Sequence, residues 1–210
     1  MIKILMIDDH LIVRQGIKRM LDDVPDMKIT NEVSSGKEAL ELIKKNSYDV
    51  ILLDISMPEL NGLQTLKLIK KINNKIPVLM LSMHSEKQYA LRSIKAGSAG
   101  YMTKDSASQE LVSAIRKIYT GRKYISKEVA ELLTTDLYHH EDKEPHELLS
   151  DREFEILKLI AKGDRTNNIA NNLSISPKTV STYRSRILEK LNLKTNSDLI
   201  HYVIDNNLNN

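Results

Sequence analysis

Residues 50–58 of the 210-residue chain read VILLDISMP, and the fold class can be predicted from this segment outward. Four apolar residues lead into a single carboxylate, Asp54, and a turn containing Pro58 and Gly62 follows. A short apolar run bounded by turn residues is typical of a buried strand. Such a strand presents its last residue at the carboxyl edge of a sheet, where open parallel α/β sheets bind their ligands.

Strand and helix patterns alternate five times around this stretch. The predicted strands are residues 2–7, 27–33, 50–53, 78–81 and 99–102. The predicted helices are residues 10–22, 35–46, 62–72, 85–96 and 106–119. This alternation predicts a parallel sheet with helices on both faces, joined by right-handed crossovers. We therefore expect an α/β domain over residues 1–120, built on a doubly wound five-stranded parallel sheet.

The rest of the chain predicts a connector and a second, all-α domain. Residues 121–148 should contain a short helix, 127–133, and then a polar, aperiodic linker, 136–147, in which His139 and His140 lie in solvent. Residues 149–210 have helical periodicity throughout. In that domain two helices, 166–173 and 177–191, are joined by a short turn, which is typical of a helix-turn-helix.

Composition excludes several classes of protein. The chain has no cysteine, so it has neither disulfides nor a thiolate metal site. The apolar N-terminal run is too short for a signal peptide, and no run approaches the ~20 apolar residues of a membrane span. We therefore expect a cytoplasmic protein with no membrane partner. Residues 177–194 are basic and follow an acidic segment, a pattern that indicates nucleic acid, although a solvated helix face gives the same pattern.

Polar side chains end four of the predicted strands. Asp8 and Asp9 follow the first strand, Asp54 ends the third, Ser82 follows the fourth and Lys104 follows the fifth. Three carboxylates at one edge repel each other and raise each other's pKa unless a cation lies among them, and carboxylate oxygens suit Mg²⁺. A carboxylate beside a metal ion and a lysine can attack a phosphoryl group. Taken singly, each residue also has a structural explanation, such as capping a helix.

These residues and the turn after Asp54 form one pattern: Asp8, Asp9, Asp54, Met57, Pro58, Gly62, Ser82 and Lys104. Over residues 1–120 the pattern resembles the receiver domain of bacterial two-component response regulators, which has a flavodoxin-like fold. The resemblance implies that Asp54 accepts a phosphoryl group from a phosphohistidine of a sensor histidine kinase. It also implies that Asp8, Asp9, Asp54 and the Ser56 carbonyl hold Mg²⁺.

The same resemblance assigns a switch pair and shows one departure. Ser82 and Tyr101 match the pair in which the hydroxyl moves to the phosphoryl group and the aromatic ring rotates inward. Many receivers have proline after the lysine, often with a cis bond. Here that residue is Asp105, so the geometry of the Lys104–Asp105 bond stays open.

Residues 149–153 read LSDRE, Gly163 follows, and residues 169–180 read IANNLSISPKTV. This spacing resembles the LuxR-type helix-turn-helix, so that the whole chain resembles a NarL/FixJ-type regulator. It departs from the family at Asn167 and Asn168, where Lys-Glu is usual, and at Tyr183, where histidine is common. Neither departure removes an expected groove contact.

The helix predicted from Pro177 has two distinct faces. The inward face carries Val180, Tyr183, Ile187 and Leu191. The face expected in the major groove of double-stranded DNA carries Lys178, Ser181, Thr182 and Ser185. Candidates for phosphate contacts are Lys178, Thr179, Arg184, Arg186 and Lys190. The alternative for this domain is a four-helix protein-interaction module.

We therefore predict a DNA-binding transcription regulator, not an enzyme, that phosphorylation of Asp54 switches. The family resemblance makes it a homodimer when phosphorylated, with the last helix, 196–204, as a dimer surface on DNA or simply packed on the domain core. Two rival hypotheses stay open. One is an Mg²⁺-dependent phosphohydrolase, disfavoured because Ser56 stands where such enzymes usually carry a second acid. The other is a DNA-binding protein without a switch.

Overall fold

The computed structural model describes residues 1–83, 87–126, 129–131, 134 and 144–208. The chain divides into two compact units, Met1–Leu133 and Thr134–Asn210, and each is described by itself below. In the described ranges, no helix has both the length and the apolar composition needed to cross a membrane.

The first unit contains a five-stranded sheet in which every pairing is parallel, in the order β2-β1-β3-β4-β5. The strands are β1 Ile2–Ile7, β2 Met27–Val33, β3 Val50–Asp54, β4 Val78–Ser82 and β5 Gly100–Thr103. All of β3 and β4 is buried, whereas in the edge strand β2 only Met27 is buried and the other residues alternate between exposed and half-buried. Continuous burial of central strands is expected where helices cover both faces. The predicted doubly wound sheet is confirmed.

Five helices connect and follow the strands: α1 Leu11–Asp22, α2 Gly36–Lys45, α3 Gly62–Ile72, α4 Lys87–Lys95 and α5 Lys104–Tyr119. Ser85, the predicted start of α4, lies outside the described residues. Helix α5 begins at Lys104 rather than at the expected Ser106. The reason is that Thr103 is its N-cap, with Oγ1 accepting the N–H of Ser106 at 3.2 Å.

The register of the sheet brings the strand ends to one edge. Ile7 of β1 pairs with Leu53 of β3, so Asp8 and Asp54 come next on neighbouring strands. Asp54 in turn pairs with Leu81, and Ser82 pairs with Thr103. The polar residues at the carboxyl ends of β1, β3, β4 and β5 therefore converge, as expected for parallel strands.

In the described residues of the second unit, all the regular structure is helical, as predicted. A 3-10 helix at Pro145–Leu148 precedes four α-helices: α6 Asp151–Ala161, α7 Thr166–Asn172, α8 Pro177–Leu191 and α9 Asn196–Asp205. Ser150 and Glu153 form a capping box at the start of α6. Ser35 caps α2, with its Oγ accepting the N–H of Glu38 at 3.3 Å.

The interpretation of residues 136–147 as an aperiodic linker is wrong at its C-terminal end. Pro145 starts the 3-10 helix, and His146 within it is buried, with Nδ1 3.1 Å from the hydroxyl of Tyr202 in α9. This segment therefore packs as part of the second unit. Residues 136–143 of that linker, with His139 and His140, lie outside the described residues. Of the predicted helix 127–133, the described residues 129–131 are helical, as predicted.

Candidate functional site

Two carboxylates are completely buried at the carboxyl edge of the sheet. Asp8 follows β1 and Asp54 ends β3, and neither is exposed to solvent. Asp9 lies beside them with 29% of its side chain exposed. The structure thus brings together the three acids that the strand ends predicted.

Lys104 is the basic partner of this pair of buried acids. Its Nζ lies 2.7 Å from Asp8 Oδ2 and 3.0 Å from Asp54 Oδ2, and its side chain is only 6% exposed. Because α5 starts at Lys104, capping by Thr103 fixes the backbone from which the side chain reaches the edge. One ammonium group faces three carboxylates, so the ionised cluster carries excess negative charge.

Burial and this excess negative charge both raise the pKa of Asp54. Burial raises the pKa of the Asp54 carboxyl to about 6, and the neighbouring Asp8 and Asp9 carboxylates add to the increase, while Lys104 opposes it. Desolvation and like charges both disfavour the ionised form. A bound cation would relieve both effects.

The carboxylates are arranged so that a divalent cation would fit among them. Asp54 Oδ1 is buried and has no hydrogen-bond donor among the described residues, whereas the Lys104 ammonium contacts Asp54 Oδ2 and Asp8 Oδ2. Ligand atoms of Asp8, Asp9, His10 and Asp54 all lie within 4.8 Å of one another. A buried carboxylate oxygen without a hydrogen-bond donor needs another partner, and a metal ion can be that partner. The cluster therefore fits a hard divalent cation.

One member of the cluster, His10, was not predicted from the sequence. Its Nδ1 lies 2.9 Å from Asp9 Oδ1 and 3.2 Å from Asp8 Oδ1. His10 directly follows Asp8 and Asp9 in the sequence, and this position could have indicated that it belongs to the cluster. It was overlooked because the residue also fits the start of α1.

The turn after Asp54 depends on Gly62. A Cβ at this position would lie 2.7 Å from Ile55 Cα and closer still to the Asp54 carbonyl oxygen. The Gly62 N–H donates to the Ile55 carbonyl at 2.8 Å, and Asn61 caps α3 with a complete capping box. Helix α3 therefore starts in contact with the backbone of the acid. Ser56, whose carbonyl was predicted as a metal ligand, lies in this turn with its side chain exposed.

Ser82 and Tyr101 lie on the two strands beyond β3. Ser82 ends β4 and is fully buried, and Tyr101 in β5 is 8% exposed, so its ring lies in the interior.

The Lys104–Asp105 bond is trans, since none of the described peptide bonds is cis. This answers the question that the absence of proline raised.

Helix α8 in the second unit has the two faces expected from its sequence. Val180, Ile187 and Leu191 are buried, while Tyr183 is half-buried. The face predicted to enter the major groove is exposed throughout, namely Lys178, Ser181, Thr182 and Ser185. Its hydroxyls donate to carbonyls one turn earlier, for example Ser185 to Ser181 at 3.1 Å. These donors are held against the helix but remain accessible.

Some of the candidate phosphate-contacting residues are exposed, and others already form hydrogen bonds or an ion pair within the domain. Lys178 and Arg186 are exposed. Arg184 Nε donates to Asn196 Oδ1, and Lys190 Nζ lies 2.6 Å from Glu153 Oε2, a carboxylate buried in the capping box of α6. Thr179 is half-buried and donates its N–H to the N-cap Ser176. Lys190 thus has a role inside the domain.

Comparison with known proteins follows this division of the chain. Residues 4–116 match the family described as the response regulator receiver domain. Residues 147–203 match the family described as bacterial regulatory proteins, luxR family.

Individual relatives match over nearly the whole chain. The response regulator UvrY of Escherichia coli K12 is 39% identical over 211 residues, covering 100% of this chain and 97% of its own. The response regulator GacA of Pseudomonas aeruginosa is 36% identical over 200 residues, covering 95% and 94%. Among solved structures, the RcsB response regulator of Salmonella typhimurium, described in connection with DNA interaction, matches with a TM-score of 0.58 at 25% identity, covering 96% and 97%.

Proposed function

Since the chain belongs to the response regulators that join a receiver domain to a LuxR-type domain, we propose that phosphorylation of Asp54 switches its DNA binding. The chain is a DNA-binding transcription regulator of a two-component system rather than an enzyme. The phosphohydrolase hypothesis is therefore dropped. What remains to be assigned is which residues accept the phosphoryl group, hold the metal and contact DNA.

A single observation carries the assignment of Asp54: it is the fully buried carboxylate that Lys104 contacts at the end of β3 and that has an oxygen, Oδ1, without a hydrogen-bond donor among the described residues. In the proposed reaction a carboxylate oxygen of Asp54 attacks phosphorus. The bond from phosphorus to the imidazole nitrogen of the kinase breaks, and that nitrogen keeps the electron pair. Lys104 would neutralise charge on the transferred phosphoryl oxygens.

We assign the cation at this site as Mg²⁺, held by carboxylates of Asp8, Asp9 and Asp54 and by the Ser56 carbonyl. When bound, Mg²⁺ supplies positive charge next to the phosphoryl oxygens. Asp54 Oδ1, which is buried without a donor among the described residues, supports this assignment. Lys104 already contacts both of these acids, so the cation would be left with the remaining oxygens.

Ser82 and Tyr101 are proposed as the element that responds. A phosphoryl group on Asp54 would add oxygens beside the end of β4, where the Ser82 hydroxyl can donate to one of them. Tyr101 lies on the neighbouring strand β5, and its ring position would then differ between the two states. Such a pair converts a local charge into a change of packing at the surface of the unit.

The exposed face of α8 is proposed as the DNA-reading surface. Lys178, Ser181, Thr182 and Ser185 would enter the major groove, and Thr179, Arg184, Arg186 and Lys190 would contact phosphates. Hydroxyl groups pair with either kind of base, so arginine and lysine contacts would provide most of the affinity. Full exposure of the first group supports this assignment.

Partners and organisation follow from the same family membership. We propose a sensor histidine kinase as phosphodonor, a homodimer on double-stranded DNA after phosphorylation, and a cytoplasmic location, since the regulator must reach DNA. We also propose a receiver over residues 1–120, a connecting segment over 121–148 whose last turn, Pro145–Leu148, packs within the second unit, and a DNA-binding domain over 149–210. Family matches at 4–116 and 147–203 support these boundaries.

The direct test is to treat the full chain with Mg²⁺ and a small acyl phosphate, and to locate the modified residue by mass spectrometry. We expect one phosphoryl group on Asp54 and none in Asp54→Asn. The matched control is Asp49→Asn, because Asp49 precedes the same strand at its opposite end. Equal incorporation in Asp54→Asn would overturn the assignment.

A further inference from the structure

His10 lies where the metal site meets solvent. It is the N-cap of α1, but its side chain makes no capping hydrogen bond. The ring instead turns toward the carboxylates, with Nδ1 2.9 Å from Asp9 Oδ1, 3.2 Å from Asp8 Oδ1 and 3.9 Å from Asp54 Oδ2. Its backbone N–H donates to Asp8 Oδ1 at 2.8 Å, which fixes the start of this residue against the site.

These distances are those between ligands around one ion. In an octahedral site with bonds of about 2.1 Å, adjacent ligand atoms are separated by about 3 Å. Nδ1 has this separation from one oxygen of Asp8 and one of Asp9, and Lys104 does not contact either of these oxygens but takes Asp8 Oδ2 and Asp54 Oδ2. The ammonium and the imidazole therefore approach the carboxylates at different oxygens.

We propose that His10 is a ligand of the metal at this site and shifts its preference from Mg²⁺ toward transition-metal ions such as Mn²⁺ and Co²⁺. The inference rests on the metal site of the proposed function. Carboxylate oxygens alone suit Mg²⁺, whereas an imidazole nitrogen adds affinity for transition metals, in increasing order from Mn²⁺ to Co²⁺. The His10 side chain is 55% exposed, so an ion can reach it from solvent.

The alternative is that His10 only donates a hydrogen bond to Asp8 or Asp9. In that case it would shield negative charge and compete with any cation equally. Removing it would then change the affinities for Mg²⁺ and Co²⁺ in the same direction and by similar factors. A ligand role instead predicts an effect that depends on the metal.

The experiment measures Mg²⁺ and Co²⁺ affinities of the full chain by calorimetry, at one fixed pH, with and without His10→Ala. Both chains carry His139→Ala and His140→Ala, because that adjacent pair would bind Co²⁺ independently. The control is His201→Ala, an exposed histidine of α9. We expect His10→Ala to weaken Co²⁺ binding at least about 10-fold, a loss that even outer-shell partners of metal ligands cause, and to leave Mg²⁺ affinity nearly unchanged.

A spectroscopic readout distinguishes ligation from shielding. Electron spin-echo modulation of the Mn²⁺-loaded chain should show coupling to a directly bound nitrogen, and His10→Ala should abolish it. Mg²⁺ binding with phosphorylation of Asp54, but without nitrogen coupling and with an unchanged Co²⁺ to Mg²⁺ ratio in His10→Ala, would overturn the role of His10 alone. Absence of any metal binding together with absence of phosphorylation would overturn the proposed function as well.

Discussion

The carboxyl edge of the sheet and the exposed face of α8 are built on opposite principles. At the edge, residues from separate strands converge on buried Asp54, and the ionised groups are costly without a cation. On α8, the face proposed to meet DNA comes from consecutive turns of one helix and stays in solvent. At the edge, repulsion between buried carboxylates makes the site sensitive to cation binding and to modification of Asp54. The α8 face offers a surface that a partner can read without rearrangement.

The difference explains where substitutions should act. A buried and convergent site depends on its supports, so changes there should alter stability and switching together. An exposed face should lose binding without loss of fold. Four sets of substitutions test this contrast, starting with the largest expected effect.

Gly62→Ala should be the most damaging change at the edge. The added Cβ would meet the backbone of Asp54 and Ile55, which cannot move without displacing β3. We expect a loss of about 4 kcal/mol or more in the free energy of unfolding, in the exceptional range for single substitutions. Urea denaturation checks it. The control Gly16→Ala, in an open position of α1, should not destabilise. Near-native stability of Gly62→Ala would show that the turn is not rigid.

Lys104→Met should destabilise the chain by about 3 kcal/mol in the presence of a chelator, because it leaves two buried carboxylates without their cation. The methionine keeps most of the apolar stem, so the loss reports mainly on charge. In an Asp54→Asn background the same substitution should cost much less, since one of the two acids is then neutral. Equal losses in both backgrounds would mean that Lys104 stabilises by packing rather than by pairing.

Asp54→Asn should stabilise the chain at neutral pH, on the order of 2 kcal/mol without divalent cations. The pKa of Asp54 is raised from 3.8 to about 6 in the folded chain, so the native state binds this proton more tightly than the unfolded state does. Ionisation therefore costs stability above pH 6, and the cost fades as the pH falls from about 6 toward 4. Thermal unfolding across this range should show a gain that shrinks with acid. A gain independent of pH would contradict burial and like-charge repulsion as its cause.

Lys190→Ala and Arg186→Ala should separate fold from binding within α8. Loss of the Lys190 pair with buried Glu153 should cost about 1 kcal/mol of stability, whereas Arg186→Ala should be nearly neutral. Arg186→Ala should weaken binding to a pool of random-sequence duplexes and reduce its salt dependence by about one unit of slope. Destabilisation by Arg186→Ala larger than by Lys190→Ala would reverse this assignment.

The convergent edge was largely predictable from the sequence because it follows from topology. Once β1, β3, β4 and β5 are parallel, Asp8, Asp54, Ser82 and Lys104 must share one edge. His10 was not predicted, since its ring direction depends on the local geometry at the start of α1. The early start of α5 was missed because Thr103 reads as a strand residue until its hydroxyl is seen to cap the helix.

For α8, the sequence predicted the two faces of the helix but not the partners of its side chains. Periodicity predicted its buried and exposed faces, and the structure has them. Periodicity could not show that Lys190 pairs with Glu153 or that Arg184 bonds Asn196, because these partners come from distant positions in the chain. It also could not show that His146 folds with the second unit, since a single buried ring in a polar segment leaves no repeating pattern.

The most direct measurement of the central claim is DNA binding and oligomeric state of the full chain with Mg²⁺, with and without a small acyl phosphate, in the native protein and in Asp54→Asn. We expect tighter binding and dimerisation on addition of the donor in the native protein, and no response in Asp54→Asn. Unchanged DNA binding while Asp54 is shown to be phosphorylated would contradict the proposed function. In that case phosphorylation of Asp54 would not control DNA binding by α8.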